Sequence, residues 1–285
     1  MDNQEYIPYQ KIAGHLGIEH GTVLWLSADL TRLVFMAKRK EGAFDAMKFL
    51  ESFMEQVGNE GTLAIPAFNF NLRDKDRYSR SRTLPITGAL ATEAMKSGKF
   101  LRTKNPLHSF LVWGKESRTL CNLGNKSSFG EDSPFAFFHD YHGKMVIIGT
   151  SVSNAFTFVH YLEELHKVNY RKYRKINIFH EDDLCWEEFL IYAKKPGWTM
   201  EMTGLQDLLI SSGIAEQTII NGITSFKVDL AASFPVIRED ITMNHARNLA
   251  RFSTKLYLRD AVKANLERIG ITTTSDKISH DPGLL

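Results

Sequence analysis

Short apolar runs alternate along this chain with segments in which apolar residues recur every three or four positions. This alternation restricts the fold, because strands separated by helices assemble into a sheet that carries helices on its faces. Apolar runs of strand length occur at Thr22–Ser27, Thr62–Pro66, Ser109–Trp113, Lys144–Ile148 and Trp186–Ala193. Helical spacing occurs over residues 42–57, ended by Gly58, over residues 154–166 with Asn154 as N-cap, and over Met200–Ser211. We therefore predict an α/β fold with a mixed central sheet flanked by helices.

The C-terminal third adds a hairpin and a final helix. Ile214–Ile220 and Ile223–Leu230 flank Asn221-Gly222, a dipeptide typical of the type I′ turn between antiparallel strands. Leu256–Ile269 has helical spacing, so residues 251–285 are predicted to form a peripheral helical extension. No internal repeat and no low-complexity linker divides the chain.

Composition excludes several classes of protein. The 285 residues include no apolar run of about 18, the length that a membrane-spanning helix needs. The segment Met1–Gln10 is polar, and the only cysteines, Cys121 and Cys185, cannot form a disulfide framework or a four-cysteine zinc site. The expected protein is reduced, cytoplasmic and independent of membranes. A net charge of only +2 does not indicate a nucleic-acid partner.

The charges are nevertheless segregated. Residues 71–82, predicted to be a long surface loop, hold five basic residues and two acids. His166–Lys175 holds five Lys or Arg and no acid, whereas Glu181–Glu188 holds five acids and no base. Solvated faces would explain each run, but two basic clusters also fit a protein that binds multiply charged phosphate compounds.

Two histidines are candidates for chemistry, since the simplest signatures of nucleotide hydrolysis, dinucleotide redox chemistry and zinc peptidases are absent. His108 lies beside Ser109 at a strand entrance, where it is placed to face a cleft or to be an ordinary hydrogen-bonded residue. His160 is followed by Glu163 and Glu164 at helical spacing, so a carboxylate can fix its tautomer and raise its basicity. A surface His–Glu pair is the alternative. No third ligand is evident for a metal ion, so no metal is predicted.

Several segments, taken in order, resemble the aminoglycoside 3-N-acetyltransferase family over about residues 9–250. The matching segments are Leu16–Ser27, Val57–Phe68, Gly88–Glu93, Pro106–Ser109, Phe129–Pro134, Gly143–Gly149, Asn154–Glu163 and Tyr170–Arg174. The chain departs from the family in the loop after the first strand, which usually reads His-Ser-Ser-Leu-Ser-Ser-Leu-Gly. Here it is Leu26–Leu33, and Asp29 stands where anionic phosphate groups are expected.

The resemblance implies that residues 1–285 form a single α/β acyltransferase domain. It also implies direct transfer of an acyl group from acyl-coenzyme A to a sugar amine, without an acyl-enzyme. His160 would take the amine proton, Glu163 or Glu93 would orient it, and His108 and Ser109 would shape the site or contact the thioester oxygen. The exposed backbone N–H groups after the first strand suit a phosphate. The residues expected to receive coenzyme A are Ser27, Leu30, Thr31, Arg32, Ala67, Phe68 and Ser109.

The two basic clusters favour an anionic acceptor over a polycationic aminoglycoside. We therefore predict a dTDP- or UDP-linked amino sugar, as in relatives of the anthrose-pathway type that act in surface-polysaccharide synthesis. Its predicted contacts are Arg73, Arg77, Arg80, Tyr170, Arg171 and Arg174. Aminoglycoside acetylation is one alternative, and a non-catalytic coenzyme A or nucleotide-sugar binding protein is another. A third, a nucleic-acid module with Tyr170 and Tyr173 as stacking groups, is the least favoured.

Overall fold

A mixed seven-stranded sheet forms the centre of the computed structural model, which describes residues 5–268. Its strand order is β10-β11-β6-β1-β2-β5-β4. The strands are β1 Val23–Ala28, β2 Thr62–Pro66, β4 Leu101–Arg102, β5 Phe110–Gly114, β6 Lys144–Ile148, β10 Ala215–Ile220 and β11 Ile223–Asp229. The three central strands β6, β1 and β2 are parallel, and the remaining neighbours pair antiparallel.

Two small sheets lie outside the central one. The first has the order β3-β7-β8, with β3 Arg77–Tyr78, β7 Arg171–His180 and β8 Cys185–Lys194. The second pairs β9 Trp198–Met200 with β12 Ala250–Phe252. Because β3 pairs in parallel with the end of β7, the segment 71–82 is held against the β7–β8 hairpin rather than being an unpaired surface loop.

Helices cover both faces of the central sheet. They are α1 Thr31–Glu41, α2 Ala46–Val57, α3 Ala89–Lys96, α4 Ser117–Asn122, α5 Pro134–Asp140, α6 Val152–Ala155, α7 Val159–Leu165, α8 Thr203–Ser211, α9 Leu230–Met243 and α10 Thr254–Arg268. Two 3-10 helices, Tyr9–Lys11 and Ala13–His15, precede β1. Among residues 5–268, no helix combines the length and the apolar character needed to cross a bilayer.

The pleat of β1 separates two hydrophobic cores. Trp25 faces one core, where its ring lies 5.1 Å from Phe110. Leu24 and Leu26 face the opposite core, to which α2 contributes Phe49 and other apolar residues. Successive side chains of a strand point to opposite faces, so a strand apolar on both faces is buried on both. The position of β1 in the middle of the sheet follows from this sequence property.

The predicted fold class is confirmed, and most predicted strands differ from the observed ones by only a residue or two at each end. The predicted turn at Asn221-Gly222 is also confirmed, with φ of +54° and +71°, which the type I′ turn requires. The predicted helix over 42–57 begins at Ala46, since the Asp45 side chain accepts from the N–H groups of Met47 and Lys48.

Other boundaries were predicted wrongly. The segment 154–166 is not one helix, because Phe156 leaves the helical region (ψ 61°) and separates α6 from α7. Ser151, not Asn154, is the N-cap, and its hydroxyl accepts from the Asn154 N–H. The helix predicted from Met200 starts at Thr203, since Met200 belongs to β9. The C-terminal helix runs from Thr254 to Arg268, and the remainder of the predicted extension lies outside the described residues.

Candidate active site

A cavity of about 380 Å³ opens at the carboxyl ends of β1 and β2. Its walls come from these strand ends, from the first residues of α1 and α3, and from the segment 150–157. Clefts at the carboxyl ends of parallel strands are the usual ligand sites of open α/β sheets. Apolar side chains dominate the lining, so the cavity suits a long, mostly uncharged group.

Four of the residues predicted to receive coenzyme A line this cavity, namely Ser27, Leu30, Thr31 and Phe68. Three do not. The Ala67 carbonyl is taken by the hydroxyl of Ser109, and the Arg32 guanidinium lies beside the Asn221–Gly222 turn, about 4.0 Å from where a Cβ on Gly222 would stand. The structure thus places about half of the predicted set on one surface and turns the rest away from it.

His160 lies on α7, only 2% exposed, in a closed group of polar side chains. Its Nδ1 is 2.7 Å from Glu163 Oε2. Tyr170 donates its hydroxyl to the other carboxylate oxygen at 2.7 Å, and Arg171 Nε lies 2.6 Å from Oε2. Arg171 Nη2 also stands 3.0 Å from His160 Nδ1. Tyr170 and the first residue of β7, Arg171, therefore hold the Glu163 carboxylate against His160.

The charge state of Glu163 fixes the tautomer of His160. Burial acts to raise the pKa of Glu163, but the charge of Arg171 and the contacts with His160 and Tyr170 outweigh it and hold that pKa below its usual value. An ionised carboxylate only accepts hydrogen bonds, so the 2.7 Å contact requires the proton on Nδ1. The lone pair of the neutral imidazole is then on Nε2, the form that a general base needs.

His108 is the second buried histidine of the site. Its Nδ1 lies 2.8 Å from Ser128 Oγ, and its ring packs 4.7 Å from Phe129. Phe129 also contacts the ring of His160 at 5.2 Å, so the structure brings both predicted histidines against one aromatic ring. Burial, reinforced by the charges of His160 and Arg171, lowers the pKa of His108 to about 3. His108 is therefore neutral near pH 7.

Thr157 connects the cavity to His160 and was missed in the sequence. Its side chain lines the cavity, and its carbonyl accepts from the His160 N–H at 3.1 Å. The hydroxyl is buried and has no hydrogen-bond partner within the described residues. Buried hydroxyls normally have partners, so an unpartnered one on a cavity wall is suited to bind a ligand atom. Its position three residues before His160, within the Asn154–Glu163 motif, was the available signal.

Two predicted site residues point elsewhere. Ser109 Oγ donates to the Ala67 carbonyl at 2.7 Å and accepts from Arg102 Nε at 2.9 Å, so its only proton is already used. Glu93 lies on α3, where it pairs with Lys96 at 2.8 Å. Of the two carboxylates considered for orienting His160, the one in contact with it is Glu163.

The basic segment 71–82 is paired with acids. Arg77 and Arg82 each bind Glu181 at 2.8 Å, and Arg80 binds Asp183 at 2.8 Å. The backbone N–H of Arg73 donates a hydrogen bond to Asp76 Oδ2. The acidic turn of the β7–β8 hairpin thus pairs with three of the five basic side chains of this segment. That Arg73, Arg77 and Arg80 contact the acceptor stays a prediction.

The second basic cluster has a buried part and an exposed part. Tyr170 and Arg171 are buried and hold Glu163, as described above. Arg174 is exposed and forms no ion pair within residues 5–268. Tyr170 and Arg171 therefore hold the Glu163 side chain of the site, whereas Arg174 faces solvent.

Carboxylates gather beside Phe129. A Cβ on the neighbouring Gly130 would stand 3.0 Å from Asp132 Oδ1 and 3.8 Å from Glu164 Oε1. Glu164 accepts from Ser127 at 2.6 Å and from Tyr173 at 3.2 Å. Burial raises the pKa of Glu164, and the charge of Asp132 adds to this effect. We name Glu131, Asp132 and Glu164 the acidic loop group.

In the described part of the chain, no cluster of His, Cys, Asp or Glu could hold a metal ion.

Comparison with known proteins gives a family and a fold. The family model described as aminoglycoside 3-N-acetyltransferase matches residues 36–225. Of the solved structures, AAC-IIIb in a binary complex with CoASH is 18% identical, with a TM-score of 0.70 over 88% of this chain and 99% of that chain. The YokD protein from Bacillus subtilis is 17% identical, with a TM-score of 0.65 over 82% of this chain and 98% of that one.

A third similar structure contains an antibiotic. It is a histidine-to-alanine mutant of the aminoglycoside acetyltransferase AAC(3)-IVa in complex with apramycin. It is 18% identical to this chain, with a TM-score of 0.65 over 84% of this chain and 94% of that one. At such identities the structural likeness establishes the shared mixed-sheet fold.

Proposed function

The chain belongs to the aminoglycoside 3-N-acetyltransferase family and is an acyl-CoA-dependent N-acyltransferase, and on this premise we propose that it acylates an amino group of an aminoglycoside-like polycation. The observation that carries the proposal is the buried His160–Glu163 pair, which is joined by a backbone hydrogen bond to Thr157 in the cavity wall. The pair supplies the base that an amine needs, since an ammonium ion has no lone pair with which to attack a carbonyl carbon.

In the proposed reaction, His160 Nε2 accepts a proton from the attacking amine as its nitrogen bonds to the thioester carbon. The ionised Glu163 stabilises the imidazolium that forms. When the tetrahedral intermediate collapses, the carbon–sulfur bond breaks, and the imidazolium returns its proton to the departing thiolate. Tyr170 and Arg171 hold Glu163 in place throughout. The apolar cavity would receive the arm that carries the thioester.

Thr157 is proposed to donate its hydroxyl to the oxygen that becomes negative in the intermediate. This assigns to Thr157 the contact first expected of Ser109, whose proton is used by the Ala67 carbonyl. No cysteine is needed as a nucleophile: burial raises the pKa of Cys121 to about 11, so its thiol is protonated and unreactive at neutral pH. Direct transfer fits these observations.

The electrostatics near His160 support a cationic acceptor. The acidic loop group lies beside Phe129, which contacts His160, whereas Arg77, Arg80 and Arg82 of segment 71–82 are paired with Glu181 and Asp183. Negative charge beside a cleft attracts polycations and raises their association rate.

A dTDP- or UDP-linked amino sugar is the second candidate. Lys172 and Arg174 on β7 are exposed and form no ion pair within the described chain, so they are available to a pyrophosphate. In that case the same site would acylate an amino sugar for polysaccharide synthesis, and it would not modify an antibiotic.

A substrate screen separates the two candidates. Thiol release from acetyl-coenzyme A would be measured with kanamycin, gentamicin and apramycin, and with dTDP- and UDP-linked amino sugars. We expect turnover of at least one antibiotic and none of the nucleotide-linked sugars. Turnover confined to the sugars would reject the aminoglycoside proposal. Binding of coenzyme A without turnover of any amine would favour a non-catalytic binding protein.

A further inference from the structure

The cavity contains one charged side chain, and it is negative. Asp29 follows β1 directly and lines the cavity together with Ser27 and Thr31. No Lys, Arg or His occurs among the described residues that form the lining. The Asp29 carboxylate also forms no ion pair within residues 5–268, so its charge is not neutralised by a neighbouring side chain.

The position of Asp29 is fixed by its surroundings. Its Oδ1 accepts from the Thr31 N–H at 2.9 Å, and its own N–H donates to the Ile148 carbonyl at 2.9 Å. Gly149 packs against it so closely that a Cβ there would stand 2.5 Å from the Asp29 carbonyl oxygen. The Asp29 carboxylate therefore already accepts the hydrogen bond of the N–H group at the start of α1. A phosphate oxygen would otherwise use that N–H group.

We propose that Asp29 is a specificity residue that keeps the phosphate groups of the acyl donor out of this cavity, so that the enzyme selects the donor through its uncharged acyl-bearing arm. The proposal rests on the proposed function, in which this cavity receives the thioester arm. Like charges a few ångströms apart repel, and because Asp29 is exposed at the cavity wall, solvent and salt partly screen this repulsion. Phosphates would be held outside the cavity or bound weakly at its mouth.

The test compares donors with and without phosphates. Dissociation constants of coenzyme A and of pantetheine would be measured by calorimetry for the wild type and for Asp29→Asn, which keeps an oxygen acceptor for Thr31. Glu60→Gln is the control, since it makes the same change of net charge on an exposed loop outside the cavity lining. Kinetics with acetyl-coenzyme A and acetyl-pantetheine would follow.

We expect Asp29→Asn to lower the dissociation constant of coenzyme A by about 10-fold and to leave that of pantetheine unchanged within twofold. Glu60→Gln should alter neither dissociation constant. The gain for coenzyme A should shrink at high salt, because screening weakens the original repulsion. An unchanged ratio of the two dissociation constants, or an equal change in both, would overturn the proposal. Because this readout is binding, it is distinct from a failure to acylate any amine, which would reject the proposed function.

Discussion

Glu163 Oε2 stands 2.7 Å from His160 Nδ1 inside a group that solvent does not reach. Because the carboxylate is held by Tyr170 and by Arg171 at the start of β7, the orientation of His160 depends on the segment that leads from α7 into the small β3-β7-β8 sheet. This geometry couples the β7–β8 hairpin to the proposed chemistry.

Replacing Glu163 should impair catalysis far more than donor binding. Glu163→Gln keeps the shape but removes the charge that fixes the Nδ1–H tautomer and stabilises the imidazolium. We expect kcat to fall about 100- to 1000-fold, the range lost when a positioned acid–base group is disturbed, with KM for acyl-coenzyme A little changed. Steady-state kinetics would measure both constants on a variant whose circular dichroism spectrum matches that of the wild type. The matched variant Glu164→Gln should lose much less, and equal losses would contradict the assignment.

Thr157→Val should lower kcat about 10- to 100-fold, because it removes the hydroxyl that is proposed to donate to the developing oxyanion. Thr157→Ser, which keeps the hydroxyl, should retain most of the activity. The free energy of unfolding should change little in Thr157→Val, since the hydroxyl has no partner within the described residues and the two side chains have similar shapes. Activity of the valine variant equal to the wild type would remove Thr157 from the mechanism.

His108 should make the fold sensitive to acid. Its pKa is about 3 in the folded chain and about 6.5 when unfolded, so below pH 6.5 only the unfolded chain takes up the proton. Stability from this group is therefore lost as the pH falls from about 6.5 toward 3, and about 2 kcal/mol of it is lost by pH 5.

Urea unfolding at pH 7 and pH 5 checks this expectation. His108→Asn, which has no titrating ring but can still bond Ser128, should lose about 2 kcal/mol less between the two pH values than the wild type does. The exposed-site control His15→Asn should behave like the wild type. Parallel losses in all three proteins would show that His108 is not a buried neutral group.

Arg102 should be a main tether of the cavity wall. Its guanidinium is buried and donates to the Ala67 carbonyl, to Asn69 Oδ1 and to the hydroxyl of Ser109, so it joins the segment after β2 to β5. Arg102→Met removes the guanidinium donor to Asn69 Oδ1 and Ser109 Oγ and leaves the Ala67 carbonyl with the Ser109 hydroxyl, so it should destabilise the protein by about 2–4 kcal/mol. The exposed ion-paired control Arg82→Met should cost less than about 1 kcal/mol. Urea unfolding at pH 7 compares them, and equal costs would refute the tether.

Local sequence patterns predicted the inner strands β1, β2, β5 and β6 well, because these strands are mostly buried and carry a strong apolar signal. β7 escaped prediction, since its alternation of Ile176 and Ile178 with exposed residues is interrupted by the charged residues 171–175. The break at Phe156 was also invisible, because no helix-breaking residue marks it in the sequence.

That residues 1–285 form a single acyltransferase domain stays a prediction.

The candidate site was predictable only where its contacts are local. His160 and Glu163 are three residues apart on one helix, so their pairing follows from helical geometry. The pairing of Arg77 and Arg80 with Glu181 and Asp183 spans about a hundred residues and arises from the β3–β7 register. Ser109 was misjudged for the same reason, since its proton is used by a carbonyl more than forty residues earlier in the chain.

The most direct test of the account concerns His160 itself. Thiol release from acetyl-coenzyme A with kanamycin should be measured for the wild type and for His160→Gln, together with coenzyme A binding by calorimetry. The account predicts a loss of kcat of about 1000-fold or more in His160→Gln, with coenzyme A bound as tightly as before. A variant that binds coenzyme A normally and retains wild-type turnover would contradict His160 as the base.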